Sequence, residues 1–237
     1  MNNKKIKIIK NGPYLVSGNV PLGEKVITPK GNGYEYKDGC IMQQNETYAL
    51  CRCGSTKDHP FCDGSHTKIK FNGKETALRE PFKDRAELFE GPGMDLLDDG
   101  RCAYARFCHR EDGEAWELTK DSDDEYLREE AIIAAKECPA GRLLAVTKKG
   151  EDIEPFLTQS IEILQDPELG VSGPIYVKGN IPIESADGYI YEIRNRQTLC
   201  RCGKSKNKPF CDSSHVKSKF QDKKFPVLRK YKNECNK

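Results

Sequence analysis

One spacing occurs twice in this chain and constrains its fold more than any other feature. Cys51, Cys53, Cys62 and His66 follow C-x-C, eight residues, C, three residues, H, and so do Cys200, Cys202, Cys211 and His215. Six of the eleven cysteines are committed to this pattern. Three thiols and one imidazole at fixed offsets read as a metal site.

Three chemistries compete for the C-x-C pair. Zinc usually takes cysteines two to four residues apart, and C-x-C is tight for it. A disulfide within C-x-C is strained, because its two Cα atoms sit too close for the preferred dihedral. An iron–sulfur cluster accepts the pair on one iron and the later Cys and His on the other. Two ferric irons, two sulfides, three thiolates and one neutral imidazole sum to minus one. Four thiolates sum to minus two, so the His-containing set takes up an electron more readily.

The residues between the ligands suit such a site. Gly54 and Gly203 follow the C-x-C and open backbone angles that other residues resist. Pro60-Phe61 and Pro209-Phe210 lead into the third Cys with a fixed turn and an apolar lid. Asp63 and Asp212 stand where a helix is expected to start, at Cys62-Asp63 and Cys211-Asp212, placed to cap free amides. Amides at that helix start would point at an anionic group. A first helical turn brings His66 and His215 to the side of the preceding Cys.

Cys62-Asp63-Gly64-Ser65-His66 resembles the CDGSH, or NEET, iron–sulfur proteins in their name-giving pentapeptide. The resemblance implies one [2Fe-2S] cluster on Cys51, Cys53, Cys62 and His66, and a second on Cys200, Cys202, Cys211 and His215. The second copy departs at Ser213, where the family has Gly, and a modest local adjustment is expected. The resemblance also implies small β-rich domains that pair with each other. Here both halves lie in one chain, so an intrachain pseudo-dimer is the expectation.

The duplication extends beyond the metal pattern. Asn11-Gly12-Pro13-Tyr14-Leu15-Val16-Ser17-Gly18-Asn19-Val20-Pro21-Leu22 has a partner in Ser172-Gly173-Pro174-Ile175-Tyr176-Val177-Lys178-Gly179-Asn180-Ile181-Pro182-Ile183. Both read as strand, Gly-Asn turn and Pro. Strands are also expected at Tyr48–Leu50 and Arg196–Leu199, just before the first Cys of each set. The first copy carries an insertion from Lys25 to Tyr36, rich in Gly and Lys, which reads as a surface loop. Basic tails follow at Lys68-Ile69-Lys70-Phe71 and Lys217-Ser218-Lys219-Phe220 and read as solvated surface, with a docking face for an acidic partner as the alternative.

The segment between the copies has its own signature. Gly91-Pro92-Gly93 breaks the chain, and Cys102 and Cys108 follow. A helix is expected from Glu125 to Lys136, with Leu127, Ala131, Ile132 and Ala135 on one side. It ends at Cys138-Pro139, the closing signal of bacterial ferredoxin motifs. The set Cys102, Cys108 and Cys138 resembles divergent single-cluster ferredoxins, which implies a [3Fe-4S] cluster, or a [4Fe-4S] cluster with an outside ligand. A ferredoxin-derived spacer without metal is the competing reading. His109, next to Cys108, is expected at the surface, with a fourth ligand as the alternative, and Trp116 is expected as a core anchor of this segment. Lys148 to Asp166 reads as a charged linker whose strand-like Ser160–Leu164 leads into the second copy. Cys40, Cys235 and His59 fall outside every ligand pattern and read as a buried thiol, a terminal thiol and a loop residue.

The expected fold is therefore α+β. Residues 1–85 and 151–237 form CDGSH-type domains, and residues 86–150 form a ferredoxin-like insert. Charged residues make up 32% of the chain but nearly cancel at net +2, which argues against a nucleic-acid partner. No apolar run reaches the length of a membrane span, and no signal peptide is visible. Eleven cysteines without export signals point to metal rather than disulfides and to a reducing, cytoplasmic setting. A monomer is expected. Apolar residues are only 36%, so each half is expected to draw folding energy from its metal. No nucleophile–base set, phosphate loop or dinucleotide fingerprint is present, so an enzyme is not expected. The expected function is one-electron transfer, with a redox protein or an apo iron–sulfur acceptor as partner. Cluster storage and transfer, redox or pH sensing, and a zinc-bound interaction module are the alternatives.

Overall fold

The computed structural model describes residues 4–222. The first copy opens with β1 (Lys5–Ile8) and β2 (Tyr14–Ser17). A long hairpin follows, β3 (Leu22–Lys30) and β4 (Gly33–Met42), and then β5 (Tyr48–Leu50). Single helical turns α1 (Ser65–Lys68) and α2 (Phe82–Arg85) close the copy. The middle segment contains β6 (Glu87–Glu90), β7 (Asp95–Asp98), β8 (His109–Arg110), β9 (Gly113–Glu114), α3 (Ala115–Lys120), α4 (Glu125–Glu137), β10 (Leu143–Val146) and β11 (Asp152–Ile153). The second copy has β12 (Ser160–Asp166), β13 (Val171–Lys178), β14 (Ile183–Glu184), β15 (Arg196–Leu199) and α5 (Ser214–Lys217). The architecture is α+β and dominated by short strands.

The two copies trade strands. One sheet runs β14-β1-β2-β5 and the other β15-β13-β12-β3-β4. The strand after the Gly-Asn turn of each copy leaves its own sheet and lies parallel to the opening strand of the other. Ile6 faces Ile183 and Ile161 faces Leu22. The amides of Ile6 and Ile161 bond the carbonyls of Pro182 and Pro21, each at 2.9 Å. The matching register follows from the matching sequences.

Alternation explains which side chains go inward. In β1, Ile6 and Ile8 are buried while Lys5 and Lys7 face outward. Their neighbours in one continuous core are Tyr14, Val16, Val20, Leu22, Ile161, Ile163, Ile175, Val177, Ile181 and Ile183. Residues of both copies contribute, so the apolar face of one half is covered by the other.

The insertion read as a surface loop is instead the β3–β4 hairpin, paired from Leu22–Met42 to Lys30–Gly33 around a two-residue Gly31-Asn32 turn. Its Tyr36 stacks on Phe107 of the middle segment, ring centroids 4.1 Å apart. Ile27, Ala105 and Phe107 form a small core there. Burial against the middle segment, which the local composition does not reveal, turns the stretch into ordered strand. Likewise, the stretch read as a linker supplies β12, the central strand of its five-stranded sheet.

In the middle segment the sheet order is β11-β10-β7-β6. The expected helix is α4, capped by Asp124, whose carboxylate accepts the Tyr126 and Leu127 amides. Ala131, Ile132, Ala134 and Ala135 bury one face of it against Met94, Leu96 and Leu143. Arg196 of β15 ties α4 to the second copy. Its buried guanidinium donates to the carbonyls of Lys136 and Cys138 at 2.9 Å and to that of Ala135, and pairs with Glu154 at 2.9 Å. The last carbonyls of a helix lack partners within the helix, and a cation there satisfies them.

Ile161 lies at 0% exposure inside the shared core. Ile161→Ala is expected to lower the unfolding free energy by about 2–5 kcal/mol. Both copies should still unfold in one transition, followed by far-ultraviolet circular dichroism in denaturant. Separate melting of the N-terminal half would contradict a shared core.

Candidate metal centre

The two ligand loops are built alike. The end of β5 pairs with the segment before the third Cys, so that Leu50 bridges Phe61, and β15 repeats this with Leu199 and Phe210. The Cys51 amide bonds Pro60 O at 2.8 Å and the Cys62 amide bonds Ala49 O at 2.9 Å. Their counterparts are Cys200 to Pro209 O at 2.8 Å and Cys211 to Thr198 O at 2.9 Å. These bonds bring the third Cys beside the C-x-C pair. Thr56 and Ser205 hydroxyls brace the loops by donating to Phe61 O and Phe210 O.

The expected helices start two residues late, at Ser65 and Ser214, and each is a single turn. The aspartates do bind amides. Asp63 accepts those of Lys57 and Ser65, each at 2.9 Å, and Asp212 those of Lys206 and Ser214 at 2.7 and 3.0 Å. The Lys57 amide, then Ser65, holds the Asp63 carboxyl below its usual range. Burial opposes the same effect at Asp212, but the Ser214 and Lys206 donors still hold it down. Gly64 adopts φ 81°. Ser213 takes the same left-handed conformation at φ 64°, so the departure from Gly keeps the turn at a cost of about 1–2 kcal/mol.

The eight candidate ligands fall into four pairs. The sulfurs of Cys51 and Cys53 are 3.7 Å apart, and those of Cys200 and Cys202 3.8 Å. Cys62 Sγ lies 3.3 Å from His66 Nδ1, and Cys211 Sγ lies 3.5 Å from His215 Nδ1. A tetrahedral ion with metal–sulfur bonds of about 2.3 Å holds two sulfurs about 3.8 Å apart, and a sulfur and a nitrogen slightly closer. Each pair therefore has the bite for one ion. Among the described residues, no three His, Cys, Asp or Glu side chains converge on one point. In each copy the donors present two bites, as a two-iron group requires.

The C-x-C thiols are nearly buried. In each pair the two thiols share a hydrogen bond that either sulfur can donate; this contact, against the effect of burial, holds one thiol of each pair, Cys51 and Cys202, below the usual thiol range. Amides of Gly54 and Thr56 add to this at Cys51. The residue between the thiols is a buried arginine in both copies, Arg52 and Arg201, a cation suited to a net-anionic group. Sequence reasoning passed over these two arginines, although their recurrence in the repeat was the available signal. Arg201 pairs with buried Asp222 and donates to Gly173 O at 3.0 Å. Arg52 donates to Gly73 O, and its Nε and Nη1 make no hydrogen bond.

The copies meet at their ligand loops. Gly54 and Gly203 both have φ 74°, and a Cβ on either would lie about 2.6 Å from the carbonyl oxygen of Cys202 or Cys53 across the junction. The Tyr14 hydroxyl of the first copy is shared between Cys200 O at 2.9 Å and Pro209 O at 3.0 Å in the second.

Cys102, Cys108 and Cys138 of the middle segment lie near enough to act on one another electrostatically, without converging on one point. Cys108 and Cys138 border its core, and Cys138 sits at the end of α4. Burial, then the neighbouring Cys138 and Cys102, raises the Cys108 thiol to about 12. The Tyr104 amide donates to Cys102 Sγ at 3.2 Å. Amides of Leu143 and Arg142 face Cys138, and the Arg142 guanidinium faces Cys102. Thiols with amide and cationic neighbours suit an anionic cluster. His109 lies at the surface beside Glu114, 3.2 Å away. Trp116 packs on the segment's core and donates to Asp98 at 3.1 Å. His59 is in a loop but buried, its ring 6.0 Å from that of Phe220. Cys40, read as a buried thiol, is half-buried and disulfide-bonded, which the proposed preference for metal over disulfides did not foresee. Cys235 lies outside the described residues.

Residues 11–67 and 172–216 match the family described as iron-binding zinc finger CDGSH type. Residues 89–148 match the divergent 4Fe-4S mono-cluster family. Two CDGSH-type iron–sulfur segments thus flank a divergent 4Fe-4S segment. No curated protein and no solved structure matches the chain. The CDGSH match spans the ligands of each copy and all its strands except the opening one, and the 4Fe-4S match spans all three middle cysteines. No helix among the described residues is long and apolar enough to cross a membrane.

The CDGSH copies differ in exposure. His66 is partly exposed, whereas His215 is 4% exposed. Burial, then the Arg201 charge, lowers the His215 pKa from 6.5 to about 4. Between those values the unfolded chain binds more protons than the folded one, so stability falls as pH drops through that window. In the metal-free protein, His215→Gln is expected to flatten this part of the stability–pH curve in denaturant titrations between pH 7 and 4. An unchanged slope would show that His215 is protonated in the folded chain.

Proposed function

We propose that this protein carries single electrons on two [2Fe-2S] clusters and one cluster of the 4Fe-4S class. Cys51, Cys53, Cys62 and His66 hold the first, Cys200, Cys202, Cys211 and His215 the second, and Cys102, Cys108 and Cys138 the third, as [3Fe-4S] or as [4Fe-4S] with an outside ligand. The observation that carries this reading is the division of each CDGSH set into two bites of 3.3–3.8 Å. A lone zinc ion needs all four donors around one point. When bound, such clusters supply one-electron oxidation and reduction. The chain's own groups do the rest. Neutral imidazoles keep the net charge of the CDGSH sites low, buried Arg52 and Arg201 stabilise the added electron, and Phe61 and Phe210 shield the loops. The strand exchange and the Gly54–Gly203 junction support an intrachain pseudo-dimer, with the ferredoxin-like segment packed alongside. The partner is a redox protein, met by a monomer, and no substrate chemistry is assigned.

A second reading, cluster donation to an apo-protein, draws on the partial exposure of Cys62 and His66. Incubation with an apo-ferredoxin separates the two: rapid transfer of the visible band supports donation, and retention with fast reduction by a reductase supports electron transfer.

Anaerobic purification followed by iron and sulfide analysis is expected to give about seven or eight irons per chain, against about four without the middle cluster. His66→Cys and His215→Cys should each lower the reduction potential of one [2Fe-2S] signal, because a fourth thiolate adds negative charge. Zinc without iron or acid-labile sulfide would overturn the proposal.

A further inference from the structure

One of the middle thiols shares a cavity with the second CDGSH site. Cys102 and Cys211 line one open cavity of about 380 Å³, together with Arg101, Asp212 and Ser213. Beside it the Arg101 guanidinium lies 4.3 Å from the centre of the Phe210 ring. The residue before Cys102 is therefore packed on the residue before Cys211. Arg196 fixes the register of this contact, because it joins β15, which ends one residue before Cys200, to the Cys138 carbonyl.

The first site meets the second at a different place, the backbone junction of Gly54 with Cys202 and of Gly203 with Cys53. We infer that electrons enter the CDGSH pair through the second site, passing from the middle thiols at Cys102 to Cys211, and from Cys202 across Gly54 to the first site. This inference rests on the three-cluster reading above. The step moves one electron and makes no bond: one Fe(II) held by the middle thiols becomes Fe(III) as one Fe(III) held at the second site becomes Fe(II). The external donor is a low-potential one-electron reductant.

Charge favours the onward direction. Arg201 is neutralised by Asp222, both side chains being at most 2% exposed. Gly73 occupies the position in the first copy that Asp222 holds in the second, and among the described residues no carboxylate pairs with Arg52. A buried cation set against aromatic rings rather than a carboxylate, as Arg52 is against Tyr14 and Phe71, stabilises an added electron more than a neutral ion pair does. The first site is therefore the better acceptor of the two.

The test uses full-length protein reconstituted anaerobically, methyl viologen radical as donor and freeze-quench EPR as readout. His66→Cys and His215→Cys each shift one [2Fe-2S] signal and so assign it to its site. The second site's signal is expected to relax severalfold faster than the first's when the middle cluster is paramagnetic, and to be reduced earlier. Cys211→Ser should slow reduction of the first site severalfold. Arg101→Ala, which removes the stacking and no ligand, should slow reduction of the second site with iron content unchanged, so the inference stays testable if the Cys211 variant misfolds. Equal relaxation of both signals, or reduction of the first site at an unaltered rate in Cys211→Ser, would overturn the inference alone. About four irons per chain would remove the donor and overturn the three-cluster reading with it.

Discussion

The parallel pairing of each copy's opening strand with a strand of the other copy is the constraint on which this structure depends. Ile6 against Ile183 and Ile161 against Leu22 put both copies into one core. A four-residue strand such as β1 or β2 buries too little to stand alone, and two-stranded pieces are marginal in water. Crossing over lets each half supply the strand that covers the other. The same crossing sets the ligand loops back to back. At their contact the closeness of the Cys53 and Cys202 carbonyls leaves no room for a side chain on Gly54 or Gly203.

The middle segment is held on that framework from two directions. The β3–β4 hairpin reaches it from the first copy, through Tyr36 on Phe107. Arg196 reaches it from the second, where its guanidinium takes up the free carbonyls at the end of α4. Both contacts act next to candidate ligands: Phe107 adjoins Cys108, and Arg196 stands four residues before Cys200. The carbonyls that Arg196 satisfies include that of Cys138 itself, so one buried cation ties a candidate ligand of the middle segment to the strand leading into Cys200.

Much of the site could be read from sequence because its chemistry is local. The ligand pairs arise from residues at most four apart, and α4 announces itself by Asp124 at its start and by its periodic alanines. The strands before each C-x-C were legible for the same reason. The exchange was not, because alternation says that Ile6 and Ile161 point inward without saying whose strand lies beside them. The hairpin escaped because Gly and Lys suggested a loop, although Gly31-Asn32 between Thr-Pro-Lys and the alternating Tyr34 and Tyr36 was a turn signal. Arg52, Arg196 and Arg201 were passed over because arginine is ordinarily a surface residue, and only tertiary packing identifies a buried one.

Placing both copies in one chain has a consequence that two identical chains do not share. In a symmetric pair of identical subunits each site carries the same residues, so symmetry makes the sites equivalent. Here the halves have diverged at positions that touch the sites without supplying ligands. Ser213 stands for Gly64, Asp222 for Gly73, and His215 is buried where His66 is partly exposed. None of these changes disturbs the paired ligand bites, which agree to within 0.2 Å between copies. The paired-bite geometry is thus kept twice, while burial and charge around it differ. Unequal surroundings on an equal scaffold leave the two neighbouring sites inequivalent, and that inequivalence is what the inferred order of reduction draws on.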